Sequence, residues 1–142
     1  MIPERYAPYV YPAFRFVVGF LFLLHGLQKL LGMFGGIDGK GGAVSFGVGQ
    51  DLFFAAGVIE TTCGALVMIG LFGPYAAFVA SGMMAFAYFY VHQPQGGLPV
   101  QNGGEPAVLF CFSFLYIAVR GSGLLSVDAL INRSASGRVA HF

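Results

Sequence analysis

The hydrophobic residues of this 142-residue chain fall into four long stretches, separated by glycine-rich or polar segments. A membrane-spanning helix needs about 20 mostly apolar residues to cross about 30 Å of hydrocarbon. Strong turn signals stand between the stretches: a glycine-rich segment over 34–51, the pair Gly73-Pro74, and a Gly, Pro and Gln segment over 92–104. The pattern predicts four spans, over 12–33, 52–72, 74–91 and 105–121.

These spans predict an all-α fold, an integral membrane four-helix bundle that forms a single domain over residues 1–128. A polar cytoplasmic tail follows over 129–142. Helices 1 and 2 are joined by the glycine-rich segment, which we expect to be an outward-facing loop.

Composition excludes several other classes of protein. Only 9% of the residues are charged and 57% are hydrophobic, whereas a soluble domain carries about 25% charged residues. A net charge of +1 supplies no basic patch, so no nucleic-acid partner is expected. The two cysteines are too few for a disulfide scaffold. The lipid bilayer is therefore the first predicted partner.

Orientation follows from the positive charges near the helix ends, which favour the cytoplasmic side. Five arginines fall on the side that holds both termini, against Lys29 and Lys40 on the other side. We therefore expect a multi-pass protein of the bacterial inner membrane with cytoplasmic termini. On that side, Arg15 and Asp128 are expected to form at most a loose interfacial ion pair, which contributes little.

The polar residues of the first two helices are the first candidates for function, because ionisable groups within spans usually face the bundle interior or a cavity. His25, Gln28 and Lys29 share one helix face, at spacings of three and four residues. Glu60 lies deep in the second helix and needs a partner, for which Lys29 or His25 is best placed. The alternative is structural: Lys29 extends to the interface, His25 makes one hydrogen bond, and the pair fixes helix register.

Glycines accompany these polar residues on the same two helices. Gly19 and Gly26 lie seven residues apart near the His25 face, and Gly57 and Gly64 flank Glu60. Small residues at this spacing let two helices approach closely.

The third and fourth helices carry further polar residues toward the same end. Tyr88 and His92 continue a stripe of small and polar residues, while Asn102 and Glu105 precede the fourth helix. Each also has a structural explanation, since Tyr88 and His92 suit an interface and Asn102 and Glu105 suit helix capping. All eight candidates nevertheless fall in the predicted outer half of the bundle, which predicts a polar pocket that opens outward: His25, Gln28, Lys29, Glu60, Tyr88, His92, Asn102 and Glu105.

Metal and haem chemistry is not indicated by these residues. His25 and His92 differ in predicted depth by about 10 Å, too far for a shared haem, and no ligand spacing points to a metal ion. Cys63 and Cys111 lie on different helices and are interpreted as buried, unreactive thiols. We therefore predict neither a metal nor a haem.

The order of several motifs resembles the DoxX family. The residues are Arg15, Gly19 and Phe22 followed by His25-Gly26-Leu27-Gln28-Lys29-Leu30, then Ile59-Glu60-Thr61-Thr62-Cys63-Gly64, Asn102-Gly103-Gly104-Glu105, and Gly121-Ser122-Gly123 through Asp128. The resemblance covers residues 15–128. The chain departs from the family at Cys63, where a second glycine is frequent, and at Leu125, where an aromatic residue or arginine is frequent.

The resemblance implies a four-helix membrane bundle associated with quinone-linked redox chemistry, because relatives include the membrane subunit of thiosulfate:quinone oxidoreductase. A quinone is then the expected cofactor and an oxidoreductase subunit the expected role. Glu60, His25 and Glu105 are the catalytic candidates, with Glu60 or Glu105 relaying protons and His25 holding the carboxylate. The quinone-binding candidates are Tyr88, His92, Lys29, Gln28 and Asn102.

The alternative hypothesis is a non-catalytic accessory or assembly subunit packed against a larger membrane complex. It is favoured by the small size, by 16 phenylalanines, and by the absence of a cofactor motif from the sequence. Other complex subunits or further copies of this chain are the protein partners that these two hypotheses imply.

Overall fold

The structure, a computed structural model, describes residues 3–47 and 49–139, with side chains up to residue 134. Within these residues the chain is helical and forms no strand. Arg138, which counts toward the predicted orientation, has its side chain outside the described part, as do residues 140–142 of the predicted tail altogether. In chain order the α-helices are α1 (Ala7–Leu31), α2 (Asp51–Ile69), α3 (Gly73–Ala87), α4 (Pro99–Asn102), α5 (Glu105–Arg120) and α6 (Val127–Val139).

In the part of the chain that the structure describes, three helical segments are long and apolar enough to cross a membrane, namely Glu4–Leu31, Asp51–Ile69 and Gly73–Gln95. The prediction of an all-α, multi-pass membrane protein is thereby confirmed. α5 has 16 residues, a length of about 24 Å, and packs along α3.

The boundaries of α1 and α2 have local causes. Both helices end at a glycine in the left-handed conformation, Gly32 with φ of 66° and Gly70 with φ of 70°. A glycine takes this conformation without a Cβ clash and so terminates a helix readily. Gly70 N–H donates to the carbonyls of Leu66 and Val67, which closes the last turn of α2.

α1 and α2 are held together by the glycines that the sequence places on their facing sides. A Cβ on Gly19 would lie 2.5 Å from the backbone nitrogen of Met68, and a Cβ on Gly64 would lie 2.6 Å from that of Leu23. Gly26 meets the Gly57 carbonyl in the same way, at 2.9 Å. The backbones are therefore in direct contact, as the seven-residue glycine spacing predicts.

An aromatic cluster joins α1 to α5 in the core. The ring of Phe22 is fully buried and contacts the rings of Phe110 and Phe114, with ring centroids 5.5 and 4.6 Å apart. Nearer the N-terminus, Tyr11 packs edge-on against Tyr116. These contacts form one side of the bundle, while α2 and α3 form the other.

At the end that holds the N-terminus, Arg15 forms a buried polar centre that differs from the loose interfacial pair expected for it. It is only 2% exposed and donates to the carbonyls of Val67, Met68 and Leu125, the second at 2.8 Å. Asp128 is not its hydrogen-bond partner. Arg15 instead binds backbone carbonyls in the last turn of α2 and just before α6, a site that only the folded chain creates.

Asp128 has its own set of partners across the turn between α2 and α3. Its carboxylate accepts hydrogen bonds from Phe72 N–H at 3.0 Å, Gly73 N–H at 3.3 Å and Ser122 Oγ–H at 2.6 Å. Its own N–H donates to the Gly70 carbonyl. The first turn of α6 is thus fixed to the α2–α3 turn.

Two segments differ from the sequence prediction. α3 ends at Ala87 and continues as a π-helical turn over Tyr88–His92, so His92 belongs to a helix and not to the following loop. The predicted tail forms part of helix α6, which extends to Val139. This helix has few apolar residues, so the apolar pattern of the sequence does not predict it.

The glycine-rich segment between α1 and α2 has a defined backbone path. Gly36 and Gly42 form an isolated bridge, and Val44 N–H donates to the Lys29 carbonyl at the end of α1. The Asp38 carboxylate accepts hydrogen bonds from Lys40 N–H and Gly42 N–H, which lower the pKa of this exposed side chain.

Candidate functional site

A cavity of about 570 Å³ lies between α1, α2, α3 and α5, at the end opposite the Arg15 centre. Its walls come from the last turns of α1, the first three turns of α2, the last turns of α3 and the first turns of α5. Four of its lining residues are ionisable within helical spans or at their ends: His25, Lys29, Glu60 and His92. The remaining walls are apolar or aromatic.

Lys29 and Glu60 form an ion pair on the wall of the cavity. Lys29 Nζ lies 2.7 Å from Oε1 and 2.6 Å from Oε2 of Glu60, so both carboxylate oxygens accept from one ammonium group. The side chains of Lys29 and Glu60 are 16% and 5% exposed. Because the ammonium has three N–H groups, one remains for a further acceptor.

His25 lies one helical turn before Lys29 on the same face of α1. Its ring packs edge-on against Phe110 at a centroid distance of 6.0 Å, and it lines the cavity. No hydrogen bond to this ring occurs within the described part of the chain. Of the two partners that the sequence offers to Glu60, the structure selects Lys29 and leaves His25 facing the cavity.

His92 reaches the cavity because of the π-helical turn that carries it. Its Nδ1 lies 3.1 Å from the backbone carbonyl oxygen of Asn102. A carbonyl can only accept, so Nδ1 must carry the hydrogen, and the lone pair of a neutral ring is then on Nε2. No residue between 3 and 139 that the structure describes forms a hydrogen bond with Nε2, so this nitrogen is free to bind a ligand.

Asn102 organises the segment that joins the π-helical turn to α5. Its Nδ2 donates to the Gly96 carbonyl at 2.8 Å, and its Oδ1 accepts from Gly104 N–H at 2.8 Å. The side chain is buried but does not line the cavity. Asn102 acts on the cavity through His92, which its carbonyl orients.

Three other predicted site residues lie apart from the cavity. Gln28 Nε2 donates to the Gly36 carbonyl at 3.0 Å and so supports the glycine-rich segment. The ring of Tyr88 packs against the backbone of Gly104, where no Cβ would fit. Glu105 is exposed in the first turn of α5. The structure therefore brings together four of the eight candidates.

The apolar part of the cavity contains residues that are not among the sequence-predicted candidates. Val79, Met83 and Phe86 of α3 line it, together with Tyr90 of the π-helical turn. They are spaced at four, three and four residues, a helical stripe that is visible in the sequence. Apolar stripes are common on membrane helices, so this signal by itself does not indicate a cavity.

A metal site is not formed by the described residues, since no three His, Cys, Asp or Glu side chains among them are grouped to hold an ion. Ser81 is buried and donates to the Cys111 carbonyl at 2.9 Å, which joins α3 to α5. Cys63 is buried in α2. The ionisable groups of the cavity are thus few and stand in a mostly apolar surround.

The fold and the cavity define a class of protein, a small helical membrane protein with a cavity between its helices that is lined by a few ionisable and many apolar side chains. The chain belongs to the DoxX family, whose model matches residues 12–93. It is 40% identical over 128 residues to an uncharacterized protein of Haemophilus influenzae, a match that covers 88% of this chain and 92% of the relative. No solved structure matches the chain.

Proposed function

We propose that this protein is a quinone-interacting membrane subunit of an oxidoreductase. The observation that supports it is the cavity of about 570 Å³, in which an ion pair and two histidines stand among otherwise mostly apolar walls. A quinone has a polar ring with two carbonyl groups and an apolar chain, and the cavity offers both kinds of surface. Pockets for such molecules are mostly apolar, with a few polar groups that fix orientation.

The polar residues have distinct roles in this proposal. The free N–H of Lys29 donates to one ring carbonyl, and protonated His92 donates from Nε2 to a carbonyl. His25 is the remaining polar group beside the ring. Glu60 keeps Lys29 in place through the two short contacts and accepts a proton when the pair separates.

Reduction of a quinone to a quinol consumes electrons and protons in equal number. The protons pass through His92 Nε2 and the Lys29–Glu60 pair. The electrons come from a partner subunit that carries a redox cofactor, which makes this chain the quinone-binding part of a larger enzyme. Assembly with other subunits, and α5 as the fourth span of a bundle in the bacterial inner membrane with cytoplasmic termini, belong to the same proposal.

The first experiment is a quinone titration of the purified protein in detergent. Glu60→Gln keeps the size of the side chain but removes its negative charge, so Lys29 loses its anchor. We expect quinone affinity to fall about tenfold or more, since a hydrogen bond to a charged group contributes about 1.5–3 kcal/mol. The matched control is Asp51→Asn, an exposed carboxylate at the start of α2 that does not line the cavity.

The outcomes separate the two hypotheses. If folded wild-type protein binds no quinone, the proposal fails. A large partner of fixed stoichiometry, recovered with quinone-free protein, would then support the accessory-subunit alternative. The same titration on Glu105→Gln decides whether this exposed carboxylate, a catalytic candidate from the sequence, belongs to the site.

A further inference from the structure

The cavity is elongated along the helices. On α2 its lining runs from Leu52 in the first turn to Glu60 near the middle of the helix. On α3 and the π-helical turn that follows, it runs from Val79 to His92. Counted from the short turn that joins these antiparallel helices, Glu60 and Val79 lie in the inner part of the cavity and His92 lies at its outer end. The long axis of the cavity therefore runs roughly along the helices, as lipid chains do.

Exposure shows where the cavity opens. Its rear wall is buried, with Phe22 and Ala107 from α1 and α5 and Met84 from α3. Its rim on α2 and α3 is exposed, and five side chains there are between 46% and 59% exposed: Leu52, Phe53, Val79, Phe86 and Tyr90. The opening is thus a groove between α2 and α3, which faces the lipid surrounding the spans.

The segment between the π-helical turn and α5 does not provide an entrance to the cavity from water. Among the described residues, none between 93 and 105 lines the cavity. That segment is closed on itself by the Asn102 hydrogen bonds to Gly96 and Gly104. The rim of the groove, in contrast, is apolar along its whole length and ends in the stacked rings of Phe86 and Tyr90, 5.1 Å apart.

We infer that the groove between α2 and α3 is the entrance to the cavity and the binding site for the apolar chain of its ligand. The ligand enters sideways from the bilayer, with its polar ring at the Lys29–Glu60 pair and its apolar chain in the groove along Phe86 and Tyr90. This inference rests on the proposed function for the nature of the ring, but the groove itself selects a membrane-dissolved amphiphile. A small water-soluble quinone lacks the chain that the groove accommodates.

The chain contains no tryptophan, which allows a direct test. Phe86→Trp places a single fluorophore on the rim, and Phe78→Trp places one on the lipid-facing side of the same helix. The two positions are similarly exposed, at 52% and 67%, and Phe78 does not line the cavity. Both variants are reconstituted in phosphatidylcholine vesicles, and Tyr90→Trp serves as a second rim probe if Phe86→Trp does not fold.

Two quenchers are titrated, a decyl-substituted benzoquinone and a single-chain amphiphile that carries bromine atoms on its chain and has no quinone ring. We expect saturable quenching at Phe86→Trp by both, and only linear, collisional quenching at Phe78→Trp. The same benzoquinone without its chain should quench Phe86→Trp with an apparent affinity lower by about tenfold or more, because each buried CH₂ contributes about 0.8 kcal/mol to partition into the bilayer.

The results distinguish this inference from the proposed function. Equal, linear quenching of both tryptophans by the brominated amphiphile would overturn the chain site, even if the quinone ring binds. Saturable quenching of Phe86→Trp by the brominated amphiphile, without saturation by the quinone, would support the groove and overturn the quinone proposal.

Discussion

Loss of one member of the Lys29–Glu60 pair should destabilise the protein strongly. In Lys29→Met, the Glu60 carboxylate loses both short contacts and is left 5% exposed without its counter-ion. Breaking a buried ion pair in this way costs about 3–5 kcal/mol. Because Lys29 borders the cavity and keeps 16% of its side chain exposed, we expect the lower end of that range, about 3 kcal/mol.

The double variant Lys29→Met/Glu60→Met separates the pair from the cost of an orphaned charge. It removes both charges, and replacing a buried pair by apolar residues of similar size is often neutral or stabilising. We therefore expect it to be more stable than either single variant, with a coupling free energy of about 2–3 kcal/mol. The measurement is the free energy of unfolding from sodium dodecyl sulfate titration in mixed micelles, followed by helical circular dichroism.

The control is Lys40→Met in the exposed glycine-rich segment, where the lysine side chain makes no ion pair among the described residues. Its free energy of unfolding should change by no more than about 0.5 kcal/mol. The interpretation of a buried, mutually dependent pair is wrong if Lys29→Met behaves like this control, or if the effects of Lys29→Met and Glu60→Met simply add.

Three further predictions concern packing and the opposite end of the molecule. Gly64→Ala should disrupt the α1–α2 contact, because the added Cβ would lie 2.6 Å from the backbone nitrogen of Leu23. We expect a loss of folded protein on detergent gel filtration. The control Gly82→Ala, where the added Cβ has no neighbour within 4 Å, should elute as wild type. Arg15→Met should lower the unfolding free energy by about 3 kcal/mol or more in the same micelle titration, since the carbonyls of Val67, Met68 and Leu125 lose a charged donor, and an unchanged value would contradict this. At Asp128, partial burial raises the pKa, but the hydrogen bonds from Ser122 Oγ–H and two backbone N–H groups lower it by more, so the net pKa lies below its usual value. Stability from Asp128 is then present above a pH of about 4 and is lost as the pH falls through the lowered pKa, so acid titration should destabilise wild type more than Asp128→Asn.

The sequence predicted the helices well because membrane spans leave a strong signal. Each long apolar stretch became a helix, and the glycines at seven-residue spacing on α1 and α2 became the helix contact. Helix depth also follows from residue number, so the grouping of His25, Lys29, Glu60 and His92 at one end could be predicted.

The direction of the side chains could not be predicted to the same degree. Gln28 shares a helix face with Lys29, yet it bonds to the glycine-rich segment, whose backbone path no periodicity reveals. His92 depends on a π-helical turn, and a count by ideal α-helical spacing misplaces every residue after Ala87. The sequence suggests Asp128 as the partner of Arg15 and cannot reveal the actual acceptors, because these are backbone carbonyls, which any sequence contains.

The glycine contact between α1 and α2 decides which side of these helices can hold a ligand. At Gly19, Gly26 and Gly64 an added Cβ would lie within 2.9 Å of a backbone atom of the other helix. Neither a side chain nor a ligand fits between the two helices there, so α1 and α2 form one continuous wall. The cavity lies in front of this wall, where α3 and α5 complete its lining.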